Sequence, residues 1–224
     1  MTLRIDVGTR PSSARTRGIT AASAAIRRGE LVVVPTESMY GLAADPFSAR
    51  GMTALYDAKG RGTALPVGVL VGSVRAVEGL ARGITQEGRD LISAFWPGPL
   101  TLIVREQPTL AWDLGGDSGT ISVRMPLHPV LLDLLASTGP LAVTGAQRAG
   151  EAPVRTCDEA EAQLGDAVAL YVDAGPCAAE QPSAIVDLTS DPPVLLREGG
   201  YGVTALREVC PDLLAPKGVL PDAP

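Results

Sequence analysis

The sequence predicts a single α/β (α+β) domain built on a large, partly mixed sheet, and three observations lead there. Apolar runs of strand length alternate with helical stretches over the first 145 residues. The last third of the chain is richer in strand-like runs than in helices. A length of 224 residues, 46% of them hydrophobic and 20% charged, can bury a sizeable core without disulfide or metal staples.

The elements follow in chain order. Residues 1–17 read as a polar N-terminal arm with a first strand at Leu3–Val7, and the main domain spans residues 18–215. The alanine-rich stretch from Ile19 to Arg28 predicts a helix stopped by Gly29. LVVVP (31–35) is a continuous apolar run between Glu30 and a polar segment, the pattern of a buried strand. TESMYGLAADPFS reads as a loop, and a helix follows from about Ala49 to Ala58. A second buried strand is expected at Val67–Val71, then helices near 74–81 and 87–95. WPGPLTLIVRE predicts a turn and a strand, and GTISVRMP another strand. Leu127–Ala136 reads as a helix with the strand PLAVTG behind it. Short strands are expected at Val168–Val172, Ala184–Leu188 and Val194–Leu196. A closing helix over 203–214 is interrupted at Pro211, and the Pro-containing tail 216–224 is expected to fray.

Composition excludes several functions. A net charge of −6 argues against a dedicated DNA binder, whose affinity would rest on neutralised phosphates. The apolar runs are of strand length, far short of the ~20 residues of a membrane span, and the N-terminus lacks the apolar core of a secretory signal. A cytoplasmic protein is expected. One histidine, His128, and three scattered cysteines without CxxC spacing leave no metal site to propose. His128, at a helix start, reads as a cap or packing residue.

Chemistry concentrates where polar residues interrupt or end apolar strands. Thr36 and Ser38 follow a buried strand, where α/β sheets bind ligands, or they bond only the local backbone. Lys59-Gly60-Arg61-Gly62 at a helix end serves one of two purposes, capping the helix carbonyls or cradling phosphates. It is not a Walker A loop. Thr120, Arg124, Ser183 and Arg197 lie near other strand ends, and Arg124 inside an apolar strand needs an acidic partner or a ligand.

VVPTESMYGLAAD, LYDAKGRGTALPVGVLV, FWPGPLTLIV, ISVRMPLHP, AIVDLT and LLREG, in this order, resemble the YrdC-type (TsaC) threonylcarbamoyl-AMP synthase family over about Gly18 to Gly199. The resemblance implies a twisted open mixed sheet around a large basic cavity. It implies condensation of L-threonine, bicarbonate or CO2, and ATP with magnesium, releasing pyrophosphate. A partner complex would then transfer the threonylcarbamoyl group to adenosine 37 of tRNA. By motif position Thr36 would contact threonine, Lys59 and Arg61 the triphosphate, and Arg124 the threonine carboxylate. Ser183 would line the same cavity, with Thr120 and Arg197 facing the nucleotide. Such chemistry needs positioned anions and neutralised phosphate charge rather than a histidine base.

The family's Ser-Ala-Asn-x-Ser-Gly segment is altered: the chain reads Thr144-Gly145-Ala146-Gln147-Arg148-Ala149-Gly150. Gly145 takes the place of a nucleotide-side serine and Gln147 that of the asparagine. Three accounts are open. Thr144 supplies the hydroxyl to the substrate from the next position; the pocket serves another amine in a specialised pathway; or only nucleotide or RNA binding remains.

Overall fold

The structure, a computed structural model, describes residues 3–8, 11–60, 62–116 and 119–215. Arg61 and the tail 216–224 lie outside the described residues. In chain order the elements are β1 (Leu3–Asp6), α1 (Ser13–Arg27), β2 (Val32–Pro35), β3 (Tyr40–Ala44), α2 (Ala49–Lys59), β4 (Gly68–Leu70), α3 (Val74–Leu80), β5 (Ala81–Arg82) and α4 (Gln86–Phe95). They continue with β6 (Leu100–Glu106), β7 (Thr120–Arg124), α5 (Pro129–Thr138), β8 (Leu141–Gly145), α6 (Cys157–Leu164), β9 (Leu170–Asp173), β10 (Ala184–Asp187), β11 (Val194–Arg197) and α7 (Val203–Val209). The strands form one mixed sheet in the order β1-β9-β2-β3-β8-β4-β7-β6-β10-β11, with β5 added beside β6.

Most expected elements are present, and the differences have local causes. The first helix begins at Ser13, not Ile19, because Ser12 caps it by accepting from Arg15 N–H. Part of the stretch read as a polar arm is thus helix, and β1 pairs in parallel with β9. Gly18 lies inside that helix because its missing side chain admits Val7, whose Cγ1 occupies the place of a Cβ. Residues 40–44, read as loop, form β3, fully buried and antiparallel to β2. A helix not anticipated, α6, starts at a reciprocal capping box between Thr156 and Glu159. The closing helix stops at Val209, two residues before Pro211.

Two apolar layers hold the sheet. One face packs against α2, α4, α6 and α7 through residues such as Leu55, Leu91, Leu102, Val123, Ala142, Val186 and Leu206. The other packs against α1 and α5 through Ala22, Ile26, Val34, Leu131, Leu134 and Leu141. This second cover is shorter than the sheet. Along β6, β7 and β10 burial alternates: Leu102, Val123 and Val186 are sealed, whereas Thr101, Ile103, Thr120, Ser122 and Ile185 are only half-buried. Beyond α1 and α5, one face of the sheet is therefore left open.

Cys157, Cys177 and Cys210 are free and buried. Desolvation pushes the thiols up, Cys157 to about 12 and Cys177 to about 11. Labelling of these thiols at pH 8 should run at least about a hundredfold slower in the native protein than in urea. Equal rates in the two states would contradict this packing.

Candidate functional site

The open face gathers most of the residues singled out in the sequence. Thr120 and Arg124 begin and end β7, and Arg197 ends β11 beside β10, where it pairs with Ile185. Ser183 immediately precedes β10 and shares a hydrogen bond of 2.9 Å with Thr101. Arg197 donates to the Ser183 carbonyl from Nε and Nη2, at 3.2 and 3.0 Å. Thr101, Ser183 and Arg197 thus form one connected polar edge. Thr101 and Arg124 belong to the same face, each one residue along from the paired Leu102 and Val123.

Arg124 is 9% exposed. Its Nε donates to the Gly98 carbonyl at 3.0 Å, from the turn WPGPL. Its Nη2 lies 2.6 Å from Glu37 Oε1, an ion pair without hydrogen-bond geometry. The buried charge needs a partner, and Glu37 is it. Glu37 also accepts from Leu127 N–H at 2.5 Å, which ties the β2–β3 turn to the entrance of α5. Its Oε2 is buried without a partner. Glu37 was not among the sequence candidates; a carboxylate in an otherwise apolar and hydroxyl-bearing turn was the available signal. His128 is the backbone N-cap of α5 and makes no side-chain cap. Burial lowers its imidazole below the ordinary range, with Glu37 opposing and Arg15 adding to that shift.

Thr36 closes its own turn: Oγ1 donates to the Met39 carbonyl at 2.5 Å and accepts from Met39 N–H at 3.3 Å. The local-backbone reading therefore describes its hydroxyl here. Its methyl faces the open side, within 3.7 Å of where a Cβ on Gly41 would stand.

Lys59, at the C-terminus of α2, is 1% exposed. Its Nζ donates to the Gly145 carbonyl at 2.7 Å and to the Gln147 carbonyl. Its own carbonyl accepts from Ala149 N–H. The ammonium caps carbonyls, as one reading of the segment had it, but those of the turn after β8 rather than those of its own helix. Gly60 supplies the left-handed residue that ends α2, with φ 64°.

Thr144 and Gly145 face opposite ways. Gly145 pairs with Gly41, and Thr144 with Leu42, a fully buried core residue on the covered face. The Thr144 hydroxyl is buried without a partner and does not stand where a side chain at 145 would. Gln147 is 6% exposed and packs over Gly145.

The two cavities flanking α2 lie elsewhere. One, of about 350 Å³, is lined by Met52, Tyr56, Thr63 and the stacked pair Phe47–Trp112. The other, of about 480 Å³, is lined by Arg28, Glu30, Arg50 and Asp166. Neither includes the strand-end residues above. Among the described residues no helix is long and apolar enough to cross a membrane.

A mixed open sheet whose bare face carries hydroxyls and guanidinium groups defines an α/β ligand-binding domain. The family model described as Telomere recombination, covering Sua5, YciO and YrdC, matches residues 24–199. A Mycobacterium tuberculosis candidate threonylcarbamoyl-AMP synthase is 49% identical over 195 residues, 87% of this chain and 90% of that protein. The Bacillus subtilis threonylcarbamoyl-AMP synthase is 32% identical over 90% of this chain and 59% of its own length. The structure of Pyrococcus abyssi Sua5 complexed with L-threonine superposes with a TM-score of 0.90 at 31% identity, covering 96% of this chain and 62% of that one. Escherichia coli YciO, at 22% identity and a TM-score of 0.80, shares the fold. The chain belongs to the Sua5/YciO/YrdC family, as its ordered motifs indicated.

Proposed function

We propose that this chain is a nucleotidyltransferase that makes threonylcarbamoyl-AMP from L-threonine, bicarbonate or CO2, and ATP. The observation that carries the reading is the anchored Arg124 on the open face, in a fold that superposes on a protein complexed with L-threonine. The Gly98 carbonyl anchors the guanidinium through Nε and Glu37 lies against Nη2, and the group supplies the positive charge that a substrate carboxylate needs. Thr36 and Ser183 flank the amino acid. Arg197 and Thr120 would face the nucleotide, and Arg61, outside the described residues, is assigned to the triphosphate by its motif alone.

The chemistry asks little of acid–base groups. The threonine nitrogen forms a C–N bond to CO2 and loses a proton, giving a carbamate. A carbamate oxygen then attacks the α-phosphorus, and the bond to the β-phosphate oxygen breaks as pyrophosphate leaves with the electron pair. Charge builds on the phosphates, so fixed cations and positioning lower the barrier. Lys59 supplies positive potential from beneath the 145–147 turn while its N–H groups hold that turn in place. Magnesium enters with ATP, as part of the substrate.

The product would pass to a separate transfer complex that modifies tRNA in the cytoplasm; a net charge of −6 fits a chain that leaves the RNA to its partner. Pyrophosphate release across a panel of amino acids and amines tests the reading. Release should require L-threonine and bicarbonate together. Release with a different amine alone would reassign the substrate.

A further inference from the structure

β9 and β10 stand second and ninth in the strand order, and residues 174–183, which join them, form neither helix nor strand. A segment without ladder or helix bonds keeps its place only through individual contacts. At its far end the Pro182 carbonyl accepts from Gly200 N–H, and the Ser183 carbonyl from Arg197. In the middle the anchor is Arg155. Its Nη2 donates to the carbonyls of Cys177 and Ala179, both at 3.1 Å, and its own carbonyl accepts from Cys177 N–H at 2.9 Å. Ala179 N–H in turn donates to the Glu37 carbonyl at 2.9 Å.

The backbone around Arg155 is itself fixed. The Val154 carbonyl accepts from Tyr40 N–H at the start of β3, and Arg155 N–H donates to Glu159 of the α6 capping box. Among the described residues the half-buried Arg155 guanidinium forms no ion pair. The donors printed for it serve two carbonyls of one connection. Charge strengthens both bonds beyond those between neutral groups.

We propose that Arg155 is a positioning residue for the amino-acid site: by clamping the 174–183 connection it holds the turn that carries Glu37 against Arg124. The path is short. It runs from Arg155 to the carbonyls of Cys177 and Ala179, from Ala179 N–H to the Glu37 carbonyl, and from the Glu37 carboxylate to Arg124 Nη2. The inference rests on the proposed binding of L-threonine at Arg124. The Ser183 end has its own anchors in Arg197 and Gly200, so the nucleotide side does not depend on the clamp.

Titration calorimetry and thiol labelling on the full chain test this together. In Arg155→Met the affinity for L-threonine should fall about tenfold and that for ATP less than about twofold, since a small shift at a remote support spoils a tuned contact. Arg155→Lys, which can still donate to the two carbonyls, should recover most of the loss. Cys177 reports the clamp directly, because it lies in the held segment and is 9% exposed. In Arg155→Met its labelling at pH 8 should accelerate at least about tenfold, by local opening, while Cys157 and Cys210 stay protected. Electrostatics alone would act the other way. Burial raises the Cys177 thiol and the Arg155 charge opposes that rise, so losing the charge leaves less thiolate. Unchanged threonine affinity, equal losses for threonine and ATP, or release of all three thiols together would overturn the inference. A wild type without threonine affinity would sink the proposed synthesis instead; selective release of Cys177 would then still support the clamp, and its absence would overturn it.

Discussion

Lys59→Met should abolish measurable threonine-dependent pyrophosphate release, with a loss of at least about a hundredfold, the usual scale for removing one preorganised charge from a transition state. The same substitution leaves the carbonyls of Gly145 and Gln147 without the donor that holds them. At roughly 1–3 kcal/mol for each of the two unsatisfied buried groups, the fold should lose on the order of 2–6 kcal/mol as well. Lys59→Arg separates the two effects. It keeps the charge but cannot place a compact ammonium between two carbonyls in a site that is 1% exposed. Stability should recover only in part, and activity should stay low. Denaturant titration and turnover assays on both variants check this, and near-normal turnover in Lys59→Met would remove Lys59 from the account.

Arg124→Ala should be nearly as severe. Its partner Glu37 would remain behind, its side chain 14% exposed, with a single hydrogen bond from Leu127 N–H. Breaking a buried pair from one side costs roughly 3–5 kcal/mol. Loss of the carboxylate-binding cation should raise the KM for threonine at least about thirtyfold. The double variant Arg124→Met with Glu37→Gln removes both charges at similar volume. It should regain most of the stability and none of the threonine affinity. Threonine affinity restored in the double variant would show that Arg124 serves only to neutralise Glu37.

Much of this arrangement was legible in the sequence because it rests on local rules. Apolar runs bounded by turn residues located β2, β6, β7 and β8, and Thr120 and Arg124 at the ends of β7 lie on the open face, whereas Thr144 in β8 points to the covered one. What escaped was set by contacts distant in sequence. Gly18 looks like a break in a helix until Val7 is found packed against it. Residues 40–44 look like loop because serine, glycine and aspartate surround a five-residue run that only the pairing with β2 and β8 makes a strand. The capping box of α6 was local, and its Thr-x-x-Glu spacing was available to be read.

The site shows the same division. That Arg124 needed a partner follows from its apolar strand; that the partner is Glu37 depends on a turn reaching across from another part of the sheet. Lys59 was readable as a cation at a helix end. Its burial beneath the turn after β8 was not, since the carbonyls it meets lie 86 and 88 residues away in sequence. The open face itself is a property of coverage: α1 and α5 are too short to span the sheet, and no stretch of sequence states that by itself.

The most direct test of the central claim is mass spectrometry of the nucleotide formed from ATP, L-threonine and 13C-labelled bicarbonate. The account predicts a threonylcarbamoyl-AMP mass that carries one 13C atom and appears in step with pyrophosphate. AMP or an unlabelled threonyl adenylate in its place would contradict it.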